Sequence, residues 1–244
     1  MADVFGTPAV SRVQLPGRRY DRIFFASMIV ILLVSVFIGF ARTYYLAGLF
    51  HAPLRAPILH IHGALNTARM LLLLVQALLV SAKKVAIHRR LGIAGFVLAA
   101  AMVVVGVLVG ANQLHRYAAE GESILSFETI PLLEIFGFAV LAGAAFALRR
   151  KSPAHKRLTI LATIVMSGAA FSRFPVQGIA TNYLVAMSLL PAAMVAYDLW
   201  SLHRVHLATV LGGALVVAYM TLAVPIGHTA PWHAFARWVQ SWNV

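Results

Sequence analysis

The chain has 244 residues, of which 61% are apolar or aromatic and only 11% are charged, and its formal net charge is +13. Soluble domains average about 25% charged residues, so this composition and the mean hydropathy of +0.86 argue against a water-soluble globule and against disorder. The absence of cysteine excludes disulfides, thiolate metal sites and cysteine nucleophiles. What remains is an all-α polytopic membrane protein.

Seven apolar segments are long enough to cross a bilayer, which takes about 20 residues. A polar leader, residues 1–23, precedes them, and they cover residues 24–47, 57–82, 91–113, 128–148, 157–177, 182–200 and 206–227. Only a short turn signal separates the fifth segment from the sixth, at Gly178, Thr181 and Asn182. The sequence therefore predicts a bundle of seven transmembrane helices over residues 24–227.

Basic residues cluster in the leader and in alternate loops, as the positive-inside rule expects for cytoplasmic segments. They are Arg12, Arg18, Arg19 and Arg22; Lys83, Lys84, Arg89 and Arg90; Arg149, Arg150, Lys151, Lys156 and Arg157; and Arg204. This asymmetry predicts a cytoplasmic N-terminus and an outer C-terminus, in a protein of the inner membrane. Because the basic residues are spread over separate loops, the pattern also argues against nucleic-acid binding.

The tail, residues 228–244, predicts an amphipathic helix instead of a further span. Pro231 suits a first helical turn after Thr229. Aromatic and apolar side chains then recur on one helical face, at Trp232, Phe235, Val239 and Trp242. We expect this helix to lie in the outer membrane interface, where aromatic rings sit at headgroup depth.

Ionisable side chains within spans are costly and usually face protein or a cavity. Five lie in the predicted outer half: Arg42, Arg69, Glu128, Glu134 and Arg173. The second span also carries polar residues on one helical face: His62, Asn66, Arg69 and Gln76. We expect an outer-leaflet polar pocket in which Glu134 pairs with Arg69 or Arg173. A structural ion pair that only fixes helix packing is the open alternative.

Three arginines face two glutamates in this set, and an unpaired buried arginine is costly. The surplus predicts that a small anionic ligand or cofactor completes the pocket. The candidate ligand-binding residues are His60, His62, Asn66, Arg69, His115, Glu134 and Arg173. Haem b is one candidate, since His60 or His62 could ligate its iron. Two alternatives are a proton-coupled transporter, which needs an inner vestibule reaching Asp198, and a structural subunit of an oligomeric complex.

Histidines also collect at the predicted cytoplasmic helix ends: His88, His155, His203 and His206. With Asp198 nearby, His88, His155 and His206 are candidate metal ligands, because imidazole and carboxylate suit zinc. The alternative is that these histidines anchor helix starts at the headgroups. No Walker loop, nucleophile elbow or HExxH motif is present, and the sequence leaves open whether the protein is an enzyme.

Several short motifs carry a family resemblance: His60-Ile-His62-Gly63, Gln76, His88-Arg-Arg-Leu-Gly92 and His155-Lys-Arg-Leu. With them the chain resembles a family of bacterial multi-pass membrane proteins that has no assigned activity. The resemblance covers the first five spans and implies a fold and a location, not a reaction. A looser likeness to small b-type cytochromes rests on the outer histidines alone.

Overall fold

The structure is a computed structural model that describes residues 18–53, 56–174 and 183–242, without the side chains of 18–19, 120 and 183–186. Within these ranges the chain is helical and has no strand, which confirms the all-helical prediction. The helices are α1 (Arg18–Phe40), α2 (Pro57–Ser81), α3 (Val85–Arg116), α4 (Glu122–Phe127), α5 (Thr129–Ala147), α6 (Ser152–Val165), α7 (Gly168–Phe171), α8 (Tyr183–Leu202), α9 (Leu207–Gly227) and α10 (Ala230–Gln240). A π-helical turn, Ala41–Tyr45, extends α1.

Five helical segments in the described ranges are long and apolar enough to cross a membrane. They are Tyr20–Tyr45, Pro57–Ser81, Val85–Arg116, Glu122–Ala147 and Leu207–Gly227. Large apolar side chains cover their outer surfaces; Val104 and Phe136, for example, are each 60% exposed. Apolar exposure on this scale is typical of helices that face lipid, so the fold is consistent with an integral membrane protein.

The structure does not confirm a count of seven spans or the predicted orientation. The predicted fifth span, residues 157–177, is divided between α6 and α7, and neither is long enough to cross a bilayer alone. The predicted sixth span, residues 182–200, corresponds to α8, whose described side chains form a shorter apolar stretch. The turn predicted between them lies outside the described residues, at Gly178, Thr181 and Asn182.

α6 lies at the centre of the bundle and packs against α1, α5, α8 and α9. Residues 160–165 are all buried, with at most 2% of any one of them exposed. Hydroxyl groups in such a position need partners, and Thr159, Thr163 and Ser167 each donate to the carbonyl four residues earlier, at 2.8 Å. These three hydroxyl groups are therefore satisfied by the backbone one helical turn earlier.

Glycines allow the closest approaches between helices. Gly39 on α1 faces the backbone of Ala170 on α7, and an added Cβ would overlap the Ala170 carbonyl group. Gly212 on α9 faces Leu161 on α6, where an added Cβ would lie 2.5 Å from Leu161 Cδ1. Both contacts join the periphery of the bundle to the segment formed by α6 and α7.

α10 packs across α3, α4 and the end of α9. The Thr229 hydroxyl caps the helix by accepting from the backbone N–H of Trp232. The Trp232 indole N–H donates to the carbonyl of Leu125 on α4 at 2.6 Å. A second apolar core lies beneath the helix and consists of Ala111, Leu114, Leu125, Ala236 and Val239.

The outward face of α10 is aromatic. Phe235 and Trp238 are 45% and 56% exposed, and Trp242 follows them at 39%. Val239, which the sequence analysis placed on this face, is buried in the core instead, because its position faces α3 and α4. The helix is thus amphipathic as predicted, but its aromatic row includes Trp238 and excludes Val239.

Candidate functional site

One end of the bundle, called here the basic end, brings together the starts of α1, α3, α6 and α9 and the end of α8. Lys156 pairs with Asp21, which joins α6 to α1, and Arg157 pairs with Asp198, which joins α6 to α8. The His88 ring on α3 lies near α6 as well, so the loops that carry the basic clusters meet at this end.

Asp198 is buried and held by three elements. Arg157 donates to it through Nε, at 2.9 Å, and through Nη2. The Thr209 hydroxyl on α9 donates to the same carboxylate at 2.6 Å, and so does the backbone N–H of His206 at 3.0 Å. Arg157 is 2% exposed and Asp198 1%. The sequence predicts that Arg157 lies in a basic loop. The signal for a buried partner was Asp198, the one acidic residue of α8.

A second ion pair adjoins the first. The Tyr197 hydroxyl donates to Asp21 at 3.2 Å, beside the bond from Lys156. Lys156 Nζ also lies 4.4 Å from the centre of the Phe25 ring. Burial lowers the pKa of Lys156, and Asp21 opposes this by stabilising the ammonium form. The two pairs pack the start of α6 against α1 and against the end of α8.

The three metal candidates divide between two environments. The rings of His88 and His155 face each other with centroids 6.5 Å apart, and His155 Nδ1 lies 2.8 Å from the carbonyl of Ala145. His206 instead caps α9, where its ring Nδ1 accepts from the backbone N–H of Ala208. Within the described ranges no group of three or more His, Asp or Glu side chains is arranged to hold a metal ion.

Arg69 and Glu134, the centre of the predicted pocket, are both in the interior, with 8% and 7% exposed. The Arg69 guanidinium carbon lies 4.8 Å from the centre of the Phe138 ring. Phe138 follows Glu134 by one helical turn and so shares its face of α5. Arg69 therefore packs against the side of α5 that carries Glu134.

All three arginines of the predicted outer set lie over phenylalanine rings. Besides Arg69, the guanidinium carbon of Arg42 is 5.4 Å from the Phe50 ring centre, and that of Arg173 is 5.1 Å from Phe40. Arg173 therefore contacts α1 through Phe40, whereas Arg69 contacts α5. A ring face attracts a cation, most strongly where water is absent. The phenylalanine rings therefore stabilise the arginine charges, which is the role that the sequence suggested for an anionic ligand.

The first histidine of the His60-to-Gly63 motif takes part in helix packing. The Tyr44 hydroxyl, from the π-helical turn, donates to the His60 carbonyl at 3.2 Å. The Tyr44 ring lies directly over Gly63, where an added Cβ would be 2.5 Å from Cζ. Asn66, a further predicted ligand, donates to the carbonyl of His62 at 2.9 Å. Packing against the Tyr44 ring thus explains the glycine at position 63.

Some predicted polar side chains keep an unsatisfied atom in the described structure. His62 Nδ1, Gln76 Oε1 and His115 Nε2 are buried and have no hydrogen-bond partner among the described residues. α2 and α3 run antiparallel, so that Gly92 faces Gln76 and Gly95 faces Leu72. This register places His62 and His115 at different levels along the helix pair. The three atoms therefore do not share one chamber.

A cavity of about 440 Å³ opens at the opposite end of the bundle, called here the α10 end. It is lined by Gln113, Tyr117, Ser123, Ile124, Phe127 and Glu128. Of the predicted site residues none is in this lining, although Glu128 was among the charged residues singled out within the spans. The cavity sits where α3 ends and α4 leads into α5.

Glu128 is the charged group of this cavity. It is 3% exposed, and its side chain has no hydrogen bond or ion pair within the described residues. Gly110 on α3 adjoins this carboxylate, since a Cβ there would lie 3.7 Å from Glu128 Oε2, an ordinary contact distance. The carboxylate therefore faces the cavity wall without a compensating cation.

A polar cluster lies beside the cavity, where α10 meets α4. Ser126 Oγ is 3.1 Å from His233 Nε2 and 3.4 Å from His228 Nδ1. His233 Nδ1 in turn lies 3.8 Å from Glu122 Oε1. Sequence reasoning missed this cluster because Ser126 and His233 are 107 residues apart and carry no local motif.

Comparison with known proteins adds no family: no protein-family model, no curated protein and no solved structure matches the chain.

Proposed function

We propose that this integral membrane protein binds a small organic cation in the cavity lined by Glu128. The observation that carries the proposal is the buried Glu128 carboxylate, which faces the cavity and has no partner among the described residues. An ionised carboxylate out of water is costly unless a positive charge or several donors compensate it. A bound ammonium group supplies that compensation.

The rest of the lining suits such a ligand. Phe127 offers an aromatic ring that attracts a cation, and Gln113 and Ser123 offer hydrogen-bonding groups. A volume of about 440 Å³ lies within the usual range for small-molecule sites. The lining contains no Lys or Arg, which is why the proposed ligand is a cation and not the anion expected from the sequence.

Thermal unfolding of the purified protein in detergent tests the proposal with probes of matched shape. Benzyltrimethylammonium carries the charge, and neopentylbenzene is its neutral isostere. We expect the cation to raise the unfolding temperature in a concentration-dependent way, because a ligand that binds only the folded state stabilises it. The neutral isostere and phenylacetate should give little or no shift.

The matched variants are Glu128→Gln, which removes the buried charge, and Glu122→Gln, which removes an exposed charge on neighbouring α4. The cation shift should disappear in Glu128→Gln and persist in Glu122→Gln. Equal shifts from cation and isostere, or an undiminished shift in Glu128→Gln, would contradict the proposal.

A further inference from the structure

We infer that Ser126, His233 and Glu122 form a nucleophilic centre that hydrolyses carboxylic esters with apolar acyl groups. This activity goes beyond the proposed cation binding, and none of the polar groups that carry it lines the cavity. It rests on the geometry of four side chains at the junction of α4, the α9–α10 turn and α10.

The distances match the roles of a nucleophile, a base and an orienting acid. Ser126 Oγ lies 3.1 Å from His233 Nε2, within hydrogen-bond reach. The other ring nitrogen, Nδ1, lies 3.8 Å from Glu122 Oε1, an ion-pair separation. Such contacts are often long in unliganded sites and shorten when substrate binds. With its proton on Nδ1, His233 presents a lone pair to the serine hydroxyl.

His228 supplies a fourth function. Its Nδ1 lies 3.4 Å from Ser126 Oγ, on the turn between α9 and α10. In the tautomer with a proton on Nδ1, the His228 N–H donates toward Ser126 Oγ and toward an oxyanion that forms beside that atom. Histidine side chains are among the donors that stabilise such oxyanions.

The fold holds the four groups in place through close packing. Glu122 precedes Ser126 by one helical turn, so both lie on one face of α4. Gly227, at the end of α9, approaches the same turn: an added Cβ would lie 2.5 Å from the Ser126 carbonyl oxygen. His233 is 8% exposed on the inward face of α10. Tight packing of this kind fixes side chains for chemistry.

The reaction is an ordinary acyl transfer. Ser126 Oγ attacks the ester carbonyl carbon while its proton passes to His233 Nε2. The bond to the alkoxy group then breaks, and the leaving alcohol takes that proton. Water attacks the acyl-serine, gives a proton to His233, and the proton returns to Ser126 Oγ as the carboxylic acid leaves.

The surroundings favour an apolar acyl chain. Phe127, Phe235 and Trp238 flank the cluster's elements and are 59%, 45% and 56% exposed. In a membrane protein such aromatic side chains lie at the bilayer interface, where acyl esters are concentrated. The shared chemistry is the carboxylic ester, whether it belongs to a bilayer lipid or to a free small molecule.

Labelling of the full chain in detergent by a fluorophosphonate probe tests the nucleophile directly. We expect covalent labelling of the wild type, none in Ser126→Ala, and unchanged labelling in Ser241→Ala, which changes an exposed serine at the end of α10. An unlabelled wild type, or labelling that persists in Ser126→Ala, would overturn the inference.

Two substrates identify the source of the ester. Hydrolysis of p-nitrophenyl octanoate, lost in Ser126→Ala, supports a free ester; hydrolysis also of phosphatidylcholine in vesicles supports a bilayer lipid. If the protein hydrolyses neither substrate, the inference is overturned.

A cysteine variant gives a readout that does not depend on turnover. The chain has no cysteine, so Ser126→Cys introduces the only thiol. A neighbouring histidine stabilises the thiolate, and near pH 7 iodoacetamide should alkylate this thiol about tenfold faster than the thiol of Ser241→Cys, which has an exposed position at the end of α10. Adding His233→Gln should remove the difference. Equal rates with His233 present would show a purely structural hydrogen bond and overturn the inference.

Discussion

Arg157 on α6 and Asp198 on α8 form an ion pair that is almost completely excluded from solvent. Thr209 and the His206 backbone complete the coordination of the carboxylate. This arrangement joins α6, α8 and α9 at the basic end.

Breaking that pair should be strongly destabilising. Asp198→Asn leaves Arg157 buried without its counter-ion, and we expect a loss of about 3–5 kcal/mol in the free energy of unfolding. The double variant Arg157→Met/Asp198→Leu should lose less than Asp198→Asn alone. Unfolding in mixed micelles measures both. Asp21→Asn, at a more exposed pair, should cost only about 0–1 kcal/mol; equal losses for Asp21 and Asp198 variants would refute the assignment.

The contact of Gly39 with Ala170 should make position 39 intolerant of a methyl group. Gly39→Ala should cost about 1–3 kcal/mol through overpacking, because the obstructing atoms are backbone. Gly143→Ala is the control, since nothing lies within 4 Å of a Cβ there, and it should be neutral or stabilising by up to about 1 kcal/mol. Unfolding that is equally insensitive to both changes would argue against the close approach of α1 and α7.

Arg69 and Phe138 should be energetically coupled. A double-mutant cycle with Arg69→Met and Phe138→Leu, followed by unfolding in micelles, isolates the cation–π term from the packing lost with the ring. We expect a coupling energy of about 1–2 kcal/mol, because the pair is desolvated. A coupling energy near zero would mean that another group compensates the Arg69 charge.

The aromatic row on α10 should lie at the membrane interface. In Trp200→Phe the remaining tryptophans are Trp232, Trp238 and Trp242, all within or just after α10. In reconstituted vesicles their fluorescence should be quenched more by lipids brominated near the headgroup than by lipids brominated deep in the chain. Quenching that is absent, or stronger from the deep position, would contradict an interfacial α10.

Local signals in the sequence predicted much of the fold. The bounds of α2, α5 and α9 follow the apolar segments within a residue or two, because hydropathy and caps are local properties. Pro57 opens α2 and Thr229 caps α10, as their types favour. The central position of α6 could not be predicted, since an apolar helix enclosed by protein has the same composition as one facing lipid.

The candidate site was harder to predict because its contacts join distant parts of the chain. The sequence identified Glu128 and the three outer arginines as unusual but could not show that the arginines lie on Phe rings while Glu128 faces a cavity. Charge counting therefore predicted an anionic ligand, whereas the lining of the cavity leads us to propose a cation. Ser126 and His233 carried no local signal at all.

Isothermal titration of the purified protein with benzyltrimethylammonium tests the central claim most directly. The account predicts saturable binding at one site per chain, weakened at least about tenfold in Glu128→Gln and unchanged in Glu122→Gln. Binding of equal strength in the wild type and Glu128→Gln, or no binding to the wild type, would contradict it.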